Sequence, residues 1–172
     1  MMITPDYCLT MARYNAWQNK QLKAIFDGLG QEDLSKDRKA YFGSILATAN
    51  HLLWADQIWL ARLTGQEGPQ GGISESVHMA ANGPAWAVER FRTDGALLHW
   101  AERLRAVELS GPLVWHSGAL EREVSKPKAL CVIHMFNHQT HHRGQIHAML
   151  TAAGAKAPVS DLAFMPDDGP WL

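Results

Sequence analysis

Five of the nine histidines in this 172-residue chain fall between His134 and His147, and two of them, His138 and His142, stand four residues apart. On a helix that spacing puts two imidazoles on one side, close enough to share a divalent cation. With His134 as origin and 100° per residue, His138 lies at about 40°, His142 at about 80°, His141 at about −20° and Gln145 at about 20°. Leu130, Cys131, Met135, Ile146, Ala148 and Met149 share or flank this stripe, whereas Arg143 lies near the opposite pole and Thr140 and His147 fall on the far side. The pattern predicts that the imidazoles face inward. A buried ring nitrogen without a partner costs about 1–3 kcal/mol, a cost that a bound cation offsets.

Two ligands seldom hold an ion, so a third is sought on another element. His51 is the candidate. Its segment carries one apolar stripe through Ile45, Ala49, Leu52, Trp59 and Leu63, and even the flank around His51 is formed by Ala47, Thr48, Trp54, Ala55 and Ile58. A helix apolar nearly all round belongs to an interior, which predicts a buried His51. Three neutral imidazoles leave a +2 charge uncompensated, so water or a thiol in an open fourth position would ionise readily. Around these ligands, His134 is expected beside the ion or bonded to water. His141 is expected either to orient a neighbour or to face a cleft, and Gln145 either to bond a ligand ring or bound water or simply to pack. Cys131 reads as a buried core thiol and Asp56, set in the apolar stripe, as a carboxylate that needs an arginine or a backbone partner. Trp54 and Trp59 read as core anchors.

The elements that must carry these residues are bounded by Gly and Pro. Thr4-Pro5-Asp6 opens a first helix that closes near residues 27–30, and a second runs over about 42–64 to a terminating Gly65. A third starts after Asn82-Gly83 with Pro84 and reaches about residue 107; the fourth runs from Pro127 to about Ala153, before Gly154. Four long helices imply a four-helix bundle. Between the third and fourth, residues 113–116 and 120–124 flank Ser117-Gly118-Ala119 as a short hairpin. The glycine-rich stretch 65–83 is expected to be a loop able to cover a site, and the tail from Ala155 to lie along the bundle with one helical turn near 160–164. The expected architecture is therefore all-α, one domain over residues 1–172, with a small hairpin and a C-terminal helical turn.

Composition narrows the function. A chain that is 47% apolar with 19% charged residues and seven tryptophans can build a core. Sixteen basic against seventeen acidic side chains give a net charge of −1, which supplies no field for nucleic acid or an anionic membrane. The longest uncharged stretch, 40–55, is too short and too polar to span a bilayer. The N-terminus has no leader pattern and the two cysteines allow at most one bridge, so a reducing cytoplasm is expected. No Ser-His-Asp arrangement, phosphate-cradling loop or CxxC pair supports covalent serine or dithiol chemistry.

Residues 50–65 read NHLLWADQIWLARLTG and residues 136–147 read FNHQTHHRGQIH. With the order of the first helix, loop, hairpin and tail, these motifs resemble, over nearly the whole chain, the DinB/YfiT-like family of metal-binding four-helix bundles, which is unrelated to the similarly named DNA polymerase. The resemblance implies one divalent ion per chain (zinc, nickel or iron) on His51, His138 and His142, the set that the residues themselves suggest, and a homodimer. Relatives include transferases and isomerases that use bacillithiol, mycothiol or glutathione. The expectation is a metal-dependent transferase that activates a low-molecular-weight thiol, or water, for attack on a small electrophile, a soft thiolate suiting a borderline ion. The alternatives are a metal-dependent hydrolase and a non-enzymatic metal-binding stress-response protein.

Overall fold

In the computed structural model, which describes residues 2–172, three of the four long helices start where a short polar side chain replaces a missing backbone partner, and the fourth follows Pro127. Thr4 Oγ1 accepts from the Tyr7 amide at the head of α1 (Pro5–Asp27), with Pro5 in the first turn. A single helical turn, α2 (Gln31–Ser35), follows. Ser44 Oγ accepts from the Ala47 amide to start α3 (Ile45–Thr64), which Gly65 ends in the left-handed region at φ 71°. Asn82 Oδ1 caps α5 (Gly83–Arg103) through the Ala85 amide. The stretch between α3 and α5 is not all loop: it contains α4 (Ile73–Ser76).

Two helix boundaries differ from the sequence expectation, and the second hairpin strand, expected over 120–124, runs over 122–127 because Leu120 and Glu121 belong to the turn. The second long helix begins at Ile45 rather than near residue 42, because Gly43 takes φ 80° and Ser44 is extended. The third ends at Arg103 instead of near residue 107, because Leu104 is extended and a separate 3-10 turn, Ala106–Leu109, follows. The hairpin consists of β1 (Pro112–Ser117) and β2 (Arg122–Pro127), antiparallel, with Trp115 opposite Val124 and Leu113 opposite Lys126. Its second strand leads directly into α6 (Lys128–Ala152). The tail carries a 3-10 turn, Leu162–Phe164, and is tied to α1 where Tyr14, Gln18 and Gln21 donate to the carbonyls of Ser160 and Val159. The fold is thus mainly helical with one small two-stranded sheet, its four long helices packing α1 on α5, α5 on α3, α3 on α6 and α6 on α1. Among the described residues, no helix is long and apolar enough to cross a membrane.

The interior is layered along the helix axes. One apolar cluster gathers Cys8, Ala12, Leu97, Val132 and Phe136; the other gathers Leu22, Phe26, Leu53, Trp86 and Ile146. Between them every long helix contributes buried polar side chains. Arg90 contacts Asp56 and Asp94, each at 2.8 Å, and Asn15 and Asn19 donate to Asp94. Gln139 donates to Asp56 at 3.0 Å, and Arg143 donates to Asn15 Oδ1. Two arginines and two aspartates leave this layer without net charge, as buried ions require. Burial pushes the Asp94 carboxyl up to about 6 against the opposing pull of Arg90.

Candidate metal centre

His51 on α3 and His138 and His142 on α6 converge where these two helices pack. His142 Nε2 lies 3.0 Å and His51 Nε2 3.4 Å from His138 Nε2, and one ring nitrogen from each residue falls within 4.8 Å of the others. Metal–nitrogen bonds of about 2.0–2.1 Å in a tetrahedral site set ligating nitrogens about 3.3–3.4 Å apart, so this cluster is near the required size. His51 is 5% and His142 6% exposed, and His138 is half-buried.

The outer ring nitrogens fix which inner nitrogens are bare. The Ser76 hydroxyl donates to the Ile73 carbonyl at 2.6 Å, so its lone pair is free to accept from His51 Nδ1–H at 2.9 Å. Gln145 Oε1 accepts from His142 Nδ1–H at 2.8 Å while its amide donates to His141 Nε2 at 3.3 Å. Both Nε2 atoms of His51 and His142 are therefore acceptors. His138 Nε2 stands between them and carries at most one proton, enough for one of its two contacts; the other would face lone pair to lone pair. A cation at the centre of the three nitrogens removes that conflict, so the residues fit a metal ion. Burial, reinforced by the neighbouring imidazoles, pushes His51 down to about 4 and His138 to about 3, and burial lowers His142 also. At neutral pH all three rings are uncharged, as ligation requires. Phe42 stacks on His51 with ring centroids 4.0 Å apart and closes one side.

Other expectations divide. The inward stripe is narrower than the sequence suggests: His134 and His141 are exposed and flank the cluster, His134 meeting α3 through Trp59 at its edge. Arg143, placed by periodicity on the outer face, is 7% exposed, since α1 covers that side of α6. Gln145 meets His142, Cys131 is a buried free thiol, and Asp56 has its arginine in Arg90. Trp54 is buried, whereas Trp59 is half-buried against His134 at 5.1 Å between ring centroids. Sequence reasoning missed Ser76, Phe42 and Gln139. Only the expectation that 65–83 covers a site pointed toward Ser76.

Fold and site together define a mainly helical protein whose three clustered histidines are able to hold one metal ion. The family model described as "DinB family" matches residues 2–169. Protein DinB of Bacillus subtilis (strain 168) is 27% identical over 164 residues, covering 89% of this chain and 90% of that one. A crystal structure of a DinB-like protein from Bacillus cereus ATCC 10987 shares the fold with a TM-score of 0.59 at 19% identity, over 83% of this chain and 90% of that one. The chain belongs to the DinB family.

Proposed function

We propose that this protein binds one divalent ion, zinc, nickel or iron, through His51, His138 and His142, and activates a low-molecular-weight thiol, or water, for attack on a small electrophile. The observation that carries the reading is the convergence of three neutral rings whose outer nitrogens are engaged or buried and whose inner nitrogens face one point. When bound, the ion would supply a Lewis acid that lowers the pKa of a thiol or water in its open position. Ser76 and Gln145 hold two of the rings in the ligating tautomer. His134 and His141 are exposed beside the cluster, and in this reading they would take up the released proton. The same reading takes residues 1–172 as one four-helix-bundle domain, working as a homodimer in a reducing cytoplasm where Cys8 and Cys131 stay thiols.

The test is a panel of thiols paired with epoxides, Michael acceptors and alkyl halides, run beside ester and amide substrates without thiol, on metal-loaded protein and His142→Ala. Thiol consumption that requires both metal and His142 is the expected result. Turnover of esters or amides without thiol would assign water as the nucleophile. Absence of any turnover by fully loaded protein would leave the ion a structural role and overturn the catalytic reading.

A further inference from the structure

Arg62 lies eleven residues beyond His51 on α3, which returns it to within about 20° of the same helix face. Its guanidinium carbon is 4.7 Å from the Trp59 ring centroid and 5.3 Å from that of Trp115, and the two indoles meet edge-on at 5.5 Å. Trp59 touches His134, and His134 leads to His138 with centroids 5.8 Å apart. A continuous line of side chains thus runs from the three histidines to Arg62 along the seam of α3 and α6. The hairpin register puts Lys126 on the same face as Trp115, and the Cys131 thiol, pushed up by burial, is pulled back by both Arg62 and Lys126. Two cations therefore lie within electrostatic reach of that thiol at this end of the seam.

Arg62 is half-buried, yet among the described residues no carboxylate lies within 4.0 Å of its guanidinium. Buried Arg90, by contrast, has two carboxylates. A partly desolvated guanidinium, held by two indoles and free of an internal counter-ion, presents a planar fork of donors suited to a carboxylate. Its neighbours on α6, Cys131 and His134, lie nine and six residues from the midpoint of His138 and His142. At 1.5 Å per residue these offsets are roughly 14 and 9 Å, and the eleven residues from His51 along α3 are roughly 16 Å, so the cation lies roughly 9–16 Å from the histidine cluster.

We propose that Arg62, seated on Trp59 and Trp115 with Lys126 nearby, binds the carboxylate of an elongated small molecule whose reactive end lies at His51, His138 and His142. The inference rests on the function proposed above for those histidines, and commits the ligand to a carboxylate remote from its reacting atom.

Isothermal titration of zinc-loaded and metal-depleted protein tests it with ω-mercaptooctanoate, octanoate and ω-mercaptooctanol, on wild type, Arg62→Gln and Arg62→Lys, with melting temperatures establishing that each variant folds. Both carboxylates should bind Arg62→Gln about tenfold more weakly than wild type, Arg62→Lys should fall between, and the alcohol should not discriminate. A thiol that adds affinity only in zinc-loaded protein assigns the carboxylate to the thiol reagent; equal affinity of octanoate and mercaptooctanoate assigns it to the electrophile. Carboxylates that bind Arg62→Gln as tightly as wild type, or no better than the alcohol, overturn the proposal. Protein that takes up no zinc but still discriminates octanoate through Arg62 would sink the metal reading and leave this subsite standing; full zinc uptake without discrimination would do the reverse.

Discussion

Ser76→Ala separates an oriented ligand from a merely buried ring. Ser76 is 0% exposed, and its hydroxyl is the acceptor for His51 Nδ1–H. Without it the ring has two options. It can keep its tautomer with an unpartnered buried N–H, at about 1–3 kcal/mol. It can instead move the proton to Nε2, which frees Nδ1 but blocks the nitrogen that faces the cluster. Either route should weaken zinc by about tenfold to a hundredfold, the usual effect of losing a partner behind a ligating histidine. At about 2–4 °C per kcal/mol for a chain of this size, the first route lowers the melting temperature of metal-free protein by about 2–12 °C. Chelator competition gives the zinc affinity, and circular dichroism the melting curve; Ser76→Thr, which keeps the hydroxyl, should recover part of the affinity. A lowered melting temperature with unchanged zinc affinity would refute the reasoning, leaving Phe42 stacking to orient the ring by itself.

Gln145→Ala should reduce zinc affinity less than Ser76→Ala, by about tenfold at most, because water reaches the half-buried position and can accept from His142 Nδ1; the same competition assay checks this. In metal-free protein, His51 and His138 are held at about 4 and about 3 when folded, against about 6.5 unfolded. As pH falls from about 6.5 the unfolded chain gains protons that the folded rings refuse, down to about 4 for His51 and about 3 for His138, so stability declines through that window and is flat above it with respect to these groups. Urea denaturation at stepped pH measures the slope, which His138→Gln should reduce. Arg90→Leu leaves Asp56 and Asp94 buried without their shared cation and should cost about 3–5 kcal/mol in the same denaturation assay.

The site was legible wherever local spacing or composition carried the information. His138 and His142 are set by one turn of helix, and His51 by sitting in a segment apolar nearly all round. Capping by Thr4 and termination at Gly65 are likewise written in single residues whose chemistry suits only a helix end. What failed was periodicity on α6. That helix packs on α3 along one side and on α1 along the other, so it has no single solvent face: Arg143 and Gln139 are buried in the polar layer while His134 and His141, nearer the nominal inner pole, are exposed. The buried polar layer was also hidden, because Asn15, Asn19, Arg90 and Asp94 look like ordinary outward residues until each meets its complement from another helix. Ser76 and Phe42 come from irregular segments, where the path of the chain, not a repeat, decides which side chain reaches the histidines.

In the function proposed, three imidazoles from α3 and α6 hold one ion. Elemental analysis of purified wild type and of His51→Ala, His138→Ala and His142→Ala, each verified as folded by circular dichroism, addresses it directly, with His134→Ala and His141→Ala as flanking variants. Wild type should carry one divalent ion per chain, each of the three ligand variants should lose most of its metal, and the two flanking variants should retain it. Full metal content in His51→Ala, or a wild type that takes up no ion when reconstituted, would contradict that assignment.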